Sequence, residues 1–373
     1  MNDSRDFIEW LGHDMSLKIL MLLENPCDLV RVSAVSSSWR QFVIANGLSK
    51  KLCLRMFPQA STFAHVVEVK RPVETVGTGM NDSSEWIRLE REHRVYASLT
   101  QGLISFPCKD CISDAICASS TDNYPEESII NTLEPSDRVD HRASYWSSQG
   151  ARSLDAPETL IYKLAAQLCL ITEVHIHPFQ AYFQFGFPIY SAKAVRFHIG
   201  HPKVPLEPEN DYNDEFLNFQ EFSDDKFEWT YTSQEFPMAH ENRLQKFRFP
   251  EPVLCIGGIL KVELLGRVQT QEIDGQYYIC ITHVQVVGRP LSPAFDVELL
   301  DEQGKCTLKY YPESLYRLSP AKSLEGESSS SSPSRFHRFS ASIRTWEQMI
   351  VNTFRGAGPL MIEDDDSDYE YLD

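Results

Sequence analysis

Apolar side chains recur at helical spacing through the first sixty residues. Met15, Ile19, Leu22 and Leu23 stand at i, i+4, i+7 and i+8, which puts them on one stripe of one helix, and Asn25-Pro26 stops that helix. Asp28 is placed to cap a second helix through Leu29-Val30-Arg31-Val32, accepting the orphan amide hydrogens of its first turn. Ser36 or Ser37 does the same for a third helix through Trp39, Phe42 and Val43. Three small helices bury little surface by themselves, since domains below ~40 residues need a partner or a neighbouring element. Residues 1–60 therefore predict a docking module.

Residues 70–84, with Pro72, Gly77, Gly79 and Asn81-Asp82-Ser83-Ser84, predict a loop whose last serines cap a helix over residues 85–103. Along that helix Ile87, Arg91/Val95 and Leu99 alternate with Glu90, Glu92 and Arg94, which suggests an amphipathic spacer inside a connector, residues 61–119. From about residue 120 the period falls to two. Leu170, Thr172, Val174 and Ile176 alternate with Ile171, Glu173, His175 and His177, the mark of a half-buried strand. Val195/Phe197/Ile199, Phe247/Phe249 and Leu260/Val262/Leu264 repeat it, and residues 277–287 predict a long strand. Gly257-Gly258 and Asp274-Gly275 punctuate these runs as turns. Many strands with few long helices between them predict an antiparallel β-sandwich over residues 120–318. Beyond it, residues 319–334 read as a serine-rich linker and residues 340–354 as a helix with Ile343, Trp346, Ile350 and Phe354 on one stripe. The acidic end, residues 363–373, reads as disordered, so residues 319–373 form a final segment. The fold class is α+β multidomain: a small helical module, a connector helix, an antiparallel sandwich and an acidic tail.

With 373 residues at 42% hydrophobic and 24% charged, the chain is long enough for two or three cored domains. Its net charge of −18 is concentrated: residues 363–373 hold seven acids and no base, and residues 205–228 hold nine acids against Lys226. Such a distribution repels phosphates and argues against a nucleic-acid partner. The longest apolar runs, such as Leu168-Cys169-Leu170-Ile171, fall short of the roughly 18 residues of a membrane span. Asp3, Arg5, Asp6 and Glu9 are unlike a secretory signal, so a cytoplasmic or nuclear location and nine reduced cysteines are expected, with no membrane partner.

Candidate chemistry is thin. Cys108-x2-Cys111 with Cys117 has one zinc-like spacing but no second pair to complete four ligands. His175 and His177 share a strand face, with no carboxylate cluster of suitable spacing beside them. Asp211, Asp214 and Glu215 with Asn210 and Asn213 lack the ligand order and central glycine of an EF-hand and read as a solvated loop. No Gly-x-Ser-x-Gly elbow, phosphate loop, dinucleotide fingerprint or His-Glu-x-x-His is present. Neither a catalytic residue nor a cofactor or metal is expected.

The ordered set Leu11-Gly12, Ile19-Leu20, Leu23, Asp28-Leu29, Val32, Val35 and Trp39-Arg40 resembles an F-box, over about residues 7–50. The resemblance is to plant-type F-box proteins and implies a helical hook whose apolar face docks on a Skp-type adaptor within a cullin-based SCF ubiquitin ligase. The adaptor contacts it implies are Leu11, Gly12, Met15, Ile19, Leu20, Leu23, Leu29, Val32, Val35 and Trp39. Two positions depart from the family: Gly12 stands where proline is usual, and Ser36-Ser37 replaces the common Cys-Lys. A second stretch, Ser144-Tyr145-Trp146-Ser147-Ser148-Gln149-Gly150 followed by residues 158–164, 168–178 and 277–288, resembles the galactose-binding-like, or discoidin-like, jelly roll. In that family ligands meet loops at one end of the sandwich, which implies ligand contacts at Trp146, Ser147 and Ser148; Trp146 is equally readable as a core plug. Together these imply a non-catalytic substrate receptor that recognises an unknown target, a protein or glycoprotein, through the sandwich. The alternative is an intracellular carbohydrate- or peptide-binding module with no part in ubiquitination.

Overall fold

The computed structural model describes residues 7–69, 83–139, 141–204, 224–301 and 304–317. The serine-rich stretch, the helix expected over residues 340–354, the acidic end and the loop with Asp211, Asp214 and Glu215 lie outside the described residues.

Four short helices come first: α1 (Phe7–Leu20), α2 (Pro26–Ser33), α3 (Ser37–Ala45) and α4 (Leu48–Met56). Asn25, rather than Asp28, caps α2, its side chain accepting from the Cys27 amide at 2.9 Å. Pro26 explains the shift, because its fixed φ suits the first helical position and its missing N–H is no loss there. Asp28 instead accepts from Arg31 at 2.6 Å. Ser36 caps α3 by accepting from the Trp39 amide at 3.2 Å. The four helices share a small core of Ile8, Leu20, Leu29, Val43, Leu48 and Leu52.

Strand β1 (Phe63–Glu68) and helix α5 (Ser83–Ser105) follow. Numbering only strands of five residues or more, the chain continues with β2 (Ile112–Ala118), β3 (Glu158–Leu164), β4 (Leu168–Gln180), β5 (Ala192–Pro202) and β6 (Phe227–Thr232). After these come β7 (Gln245–Ile256), β8 (Ile259–Arg267), β9 (Cys280–Pro290), β10 (Phe295–Leu299) and β11 (Cys306–Tyr310). Two antiparallel sheets make the sandwich. One orders β6-β5-β8-β3-β2, the other β7-β4-β9 with the short pair Lys109–Asp110 at its edge. Alternate residues of both meet between them, among them Val174, Ile176, Val195, Phe197, Phe247, Leu260, Val262, Val284 and Val286. The turn Gly257-Gly258 carries the chain from one sheet to the other; both residues have positive φ, 100° and 71°, which L side chains rarely adopt.

The sandwich begins ahead of residue 120, because β2 pairs with β3 along its length. At the other end β10 and β11 leave it for a third sheet, ordered β1-β11-β10, in which β1 runs parallel to β11 from Phe63 beside Cys306 to Glu68 beside Tyr310. Helix α5 covers this sheet and is no mere spacer. Val95, Tyr96, Leu99 and Leu103 are fully buried in a second core with Leu168, Leu170, Leu254, Ile256, Leu291, Phe295 and Leu308. The helix is also tied to its neighbours by Arg40–Glu90 at 3.0 Å, Lys50–Glu92 at 3.5 Å and Arg94–Glu68 at 2.8 Å.

Strand β4 belongs to both cores, and a bulge shifts the phase of its alternation partway along. Glu173 pairs with Val287 and Ile171 with Gly288, leaving Thr172 as the extra residue, its hydroxyl donating to the Val287 carbonyl at 3.0 Å. The two-residue period is therefore broken at Thr172, which does not share the apolar face predicted for it. Before the bulge Leu168 and Leu170 face the second core while Cys169 and Ile171 face the sandwich; after it Val174 and Ile176 face the sandwich.

Candidate functional site

The helical module divides the residues expected to touch an adaptor into two sets. Leu20 and Leu29 are buried in the module's own core, and Leu23, Val32 and Trp39 pack half-buried against it. These five hold the hook together, a correction to the expectation for Leu20 and Leu29 in particular, whose side chains have no surface to offer. Met15, Ile19 and Val35 are exposed, Gly12 is exposed and Leu11 half-buried. Two further exposed apolar residues, Trp10 and Leu22, join them at 70% and 77% exposure. The i, i+4, i+7, i+8 spacing of Met15, Ile19, Leu22 and Leu23 marks three members of that stripe; Leu23 packs half-buried against the core instead, and Trp10 lies outside the pattern.

Local structure fixes this surface. Arg55 of α4 donates to the carbonyls of Met21 and of Leu23, the latter at 2.6 Å, and so closes the turn that presents Leu22. Gly12 interrupts α1 with φ 72° and ψ 167°, a region open essentially to glycine alone. A proline, with φ near −65°, has no access to it, which accounts for the residue found here.

The second candidate surface lies at the far end of the sandwich, where β4 ends. A cleft of about 120 Å³ is lined by Asp122, Asn123, Glu127, Tyr145, Ser147, Phe179 and Phe183 together with Gln184, Tyr190, Gln271 and Tyr278. Its walls are rings: Tyr145 stacks on Phe179 with centroids 3.9 Å apart, and Tyr190 meets Tyr278 edge-on at 6.3 Å. Each phenol already donates its proton, Tyr145 to Glu127, Tyr190 to Gln184 and Tyr278 to Asp274, all at 2.6 Å. Burial, with the neighbouring Glu127, holds the Tyr145 hydroxyl well above its ordinary range; burial also raises Tyr278, and Tyr190 is pushed up to about 12. The Asp122 carboxyl is raised by burial and by the nearby charges of Glu127 and Asp274.

Beside the cleft a hairpin loop projects from β4, its neck closed by the Ala181 amide donating to the Pro188 carbonyl at 2.9 Å. It carries three exposed phenylalanines, Phe183, Phe185 and Phe187, of which Phe185 is 93% exposed. Their alternation in Tyr182-Phe183-Gln184-Phe185-Gly186-Phe187 looks in sequence like strand core, and nothing in it foretold an exposed tip.

Trp146, Ser147 and Ser148 stand under this end without forming its surface. Trp146 is fully buried, its indole N–H donating to the Ser120 carbonyl at 3.0 Å, so it is the core plug and not a ligand contact. Ser148 is fully buried as well: its Oγ accepts from Arg267 Nη1 at 2.9 Å and from the Ile279 amide at 3.0 Å. Only Ser147, itself buried, reaches the lining. Arg267 organises the floor. Its guanidinium pairs with buried Glu158 and donates to the carbonyls of Gln149, Ala156 and Tyr277 at 3.0, 3.3 and 2.9 Å.

Among the described residues no group of three His, Cys, Asp or Glu is arranged to hold a metal ion. Cys108 is exposed while Cys111 is buried in the sandwich core beside Cys169, so the pair does not converge. His175 bonds Glu173 at 2.9 Å and Gln285 at 3.0 Å, and His177 bonds Asn242 at 2.8 Å, which leaves them as members of a polar sheet face.

A family model described as F-box-like matches residues 13–55. F-box protein At4g00755 of Arabidopsis thaliana is 49% identical over 375 residues, covering 99% of this chain and 98% of the relative. Solved structures similar to the chain include the family 32 carbohydrate-binding module of Clostridium perfringens NanJ in complex with galactose, at 13% identity and a TM-score of 0.28, covering 47% of this chain and 98% of that one. The family 32 carbohydrate-binding module of Streptococcus pneumoniae EndoD matches at 10% identity and a TM-score of 0.30, covering 48% of this chain and 98% of its own.

Proposed function

The chain belongs to the F-box proteins, and on that premise we propose that it is the substrate-receptor subunit of an SCF-type ubiquitin ligase, docking a Skp-type adaptor through its helical module and a target protein through the distal end of the sandwich. The observation that carries this reading is the apolar stripe Met15, Ile19 and Leu22, left uncovered on a module too small to waste apolar surface. Supporting it is the placement of Leu17, Leu20 and Leu29, which are consumed by the module's own core. In this role the chain contributes proximity and no bond-breaking chemistry: it raises the local concentration of a target lysine beside the ubiquitin carrier held by other subunits.

The test is co-expression of the full chain with a Skp-type adaptor. Retention of the adaptor through gel filtration, lost when residues 7–56 are deleted, is the expected result. Failure of intact, folded chain to associate with the adaptor at tens of micromolar overturns the reading.

A further inference from the structure

We infer that the distal cleft receives a lysine or arginine side chain from an extended basic segment of the target protein, whose flanking apolar residues lie over Phe183, Phe185 and Phe187; this rests on the receptor reading above. Size comes first. At about 120 Å³ the cleft is well under the roughly 300–1,000 Å³ of pockets that take whole small molecules, and it suits one side chain. Its walls come next, since Tyr145, Phe179, Phe183, Tyr190 and Tyr278 surround it with aromatic rings. Aromatic rings attract cations through the negative side of their quadrupole. The same cluster already accepts one guanidinium: Arg138 sits over the Tyr182 ring, 3.8 Å from its centroid, and Tyr182 packs edge-on to Phe183 at 5.5 Å.

Polarity narrows the choice further. All three phenol protons of the wall are committed to Glu127, Gln184 and Asp274, so these rings offer a ligand oxygen acceptors and no donors. Asp122 and Glu127 belong to the lining, Asp274 stands behind Tyr278, and no lysine, arginine or histidine is among the lining residues. A ligand that brings hydrogen-bond donors and positive charge satisfies all of these groups together. An anion would meet carboxylates, and a neutral side chain would desolvate them without balancing their charge. The exposed phenylalanines beside the opening supply apolar contact for residues on either side of the cation.

The experiment uses the full chain in complex with the adaptor and fluorescent nonapeptides of Gly and Ser with Leu-X-Leu at the centre, X being Lys, Arg, Nε-acetyl-lysine or Glu. Fluorescence anisotropy should show Lys and Arg peptides bound about tenfold tighter than the acetyl-lysine and Glu peptides. Asp122→Asn and Glu127→Gln should each remove most of that preference, and Phe183→Ala with Phe185→Ala should weaken all four peptides together. Equal binding of charged and neutral peptides, binding of none of them, or displacement of the Lys peptide by galactose overturns the inference. Adaptor retention is measured on the same preparations. A chain that keeps the adaptor but ignores peptide charge counts against this inference alone; one that reads charge but never holds the adaptor counts against the receptor reading alone.

Discussion

Replacing Met15 and Leu22 by aspartate should abolish adaptor binding and leave the fold intact, whereas Leu20→Asp should destroy both. Leu22 is 77% exposed and Met15 49%, so in the free chain the covered surface lost is worth about 0.5 kcal/mol for Leu22 and about 1 kcal/mol for Met15, too little to unfold the module. On docking, the same residues would lose their remaining exposure. Full burial of a leucine or methionine side chain is worth roughly 1.5–3 kcal/mol; scaled by the exposed fractions, the two together contribute about 2–4 kcal/mol. Setting an unpaired carboxylate against the partner adds about 1–3 kcal/mol for each lost solvation shell. A loss above about 4 kcal/mol weakens binding roughly a thousandfold, since each 1.4 kcal/mol is tenfold. Leu20, only 6% exposed, sits in the module core, and a buried carboxylate there unfolds the helices. Calorimetric titration of adaptor into full chain, with thermal unfolding of the same samples, separates the cases. Should the double variant melt like the parent and still bind within threefold, the stripe is not the docking surface.

Four further outcomes follow from the geometry. Leu99→Ala, at a fully buried position of the second core, should cost about 2–5 kcal/mol, and helix and strand signals in circular dichroism should be lost in one transition; two separated transitions would show that the core does not couple module and sandwich. Gly12→Ala should cost about 1–3 kcal/mol through its φ of 72° alone, because no atom lies within 4 Å of the added methyl carbon, and Gly12→Pro should be worse; an unchanged urea midpoint for both would refute the kink. Glu158→Gln should destabilise by about 3–5 kcal/mol by leaving Arg267 buried and uncompensated, as urea unfolding would read; an unchanged midpoint would refute the buried pair. His93, bonded to Ser49 at 2.9 Å, is lowered from 6.5 to about 4 by burial and then by Arg40 and Arg94, so the unfolded chain takes up its proton first. Stability should therefore fall as pH drops from 6.5 towards 4, by up to roughly 3 kcal/mol, and His93→Gln should flatten that slope in thermal melts.

What was legible in the chain is what obeys a single period. Met15 and Ile19 keep helical spacing because one side of α1 is free, with Leu22 exposed in the turn that follows, and Val195, Phe197 and Ile199 keep strand spacing because β5 has one core beneath it. Leu168 to Ile171 keep neither, being apolar on both faces between two cores, and the Thr172 bulge then shifts the phase for the rest of β4. Helix α5 misled for a related reason: its second half is buried nearly all round, and small residues such as Ala97, Ser98 and Thr100 carry no hydrophobic stripe to announce it. The distal cleft was illegible because Asp122 with Glu127, Tyr190 and Tyr278 come from three separate segments that only the folded sandwich brings together. Trp146 misled in the opposite direction, a conspicuous residue near the right place whose indole serves the core.

The two candidate surfaces are joined through packing and not through a tether. Leu52 of α4 lies in the helical core and the next residue, Cys53, in the second core; Leu170 of β4 lies in the second core and Ile171 in the sandwich. From Leu168 to Phe179 the same strand then runs to the cleft, eleven steps at about 3.3 Å each, or roughly 35 Å. The parallel pairing of β1 with β11 closes the arrangement from the other end of the chain. A flexible linker of that reach would spread the cleft over a large volume and dilute the effective concentration of whatever it holds. A rod of packed side chains keeps that concentration fixed, and the stiffness comes from the residues that blurred the sequence pattern: a strand buried on both faces and a helix whose second half is buried on nearly all sides hold the two candidate surfaces at a constant offset.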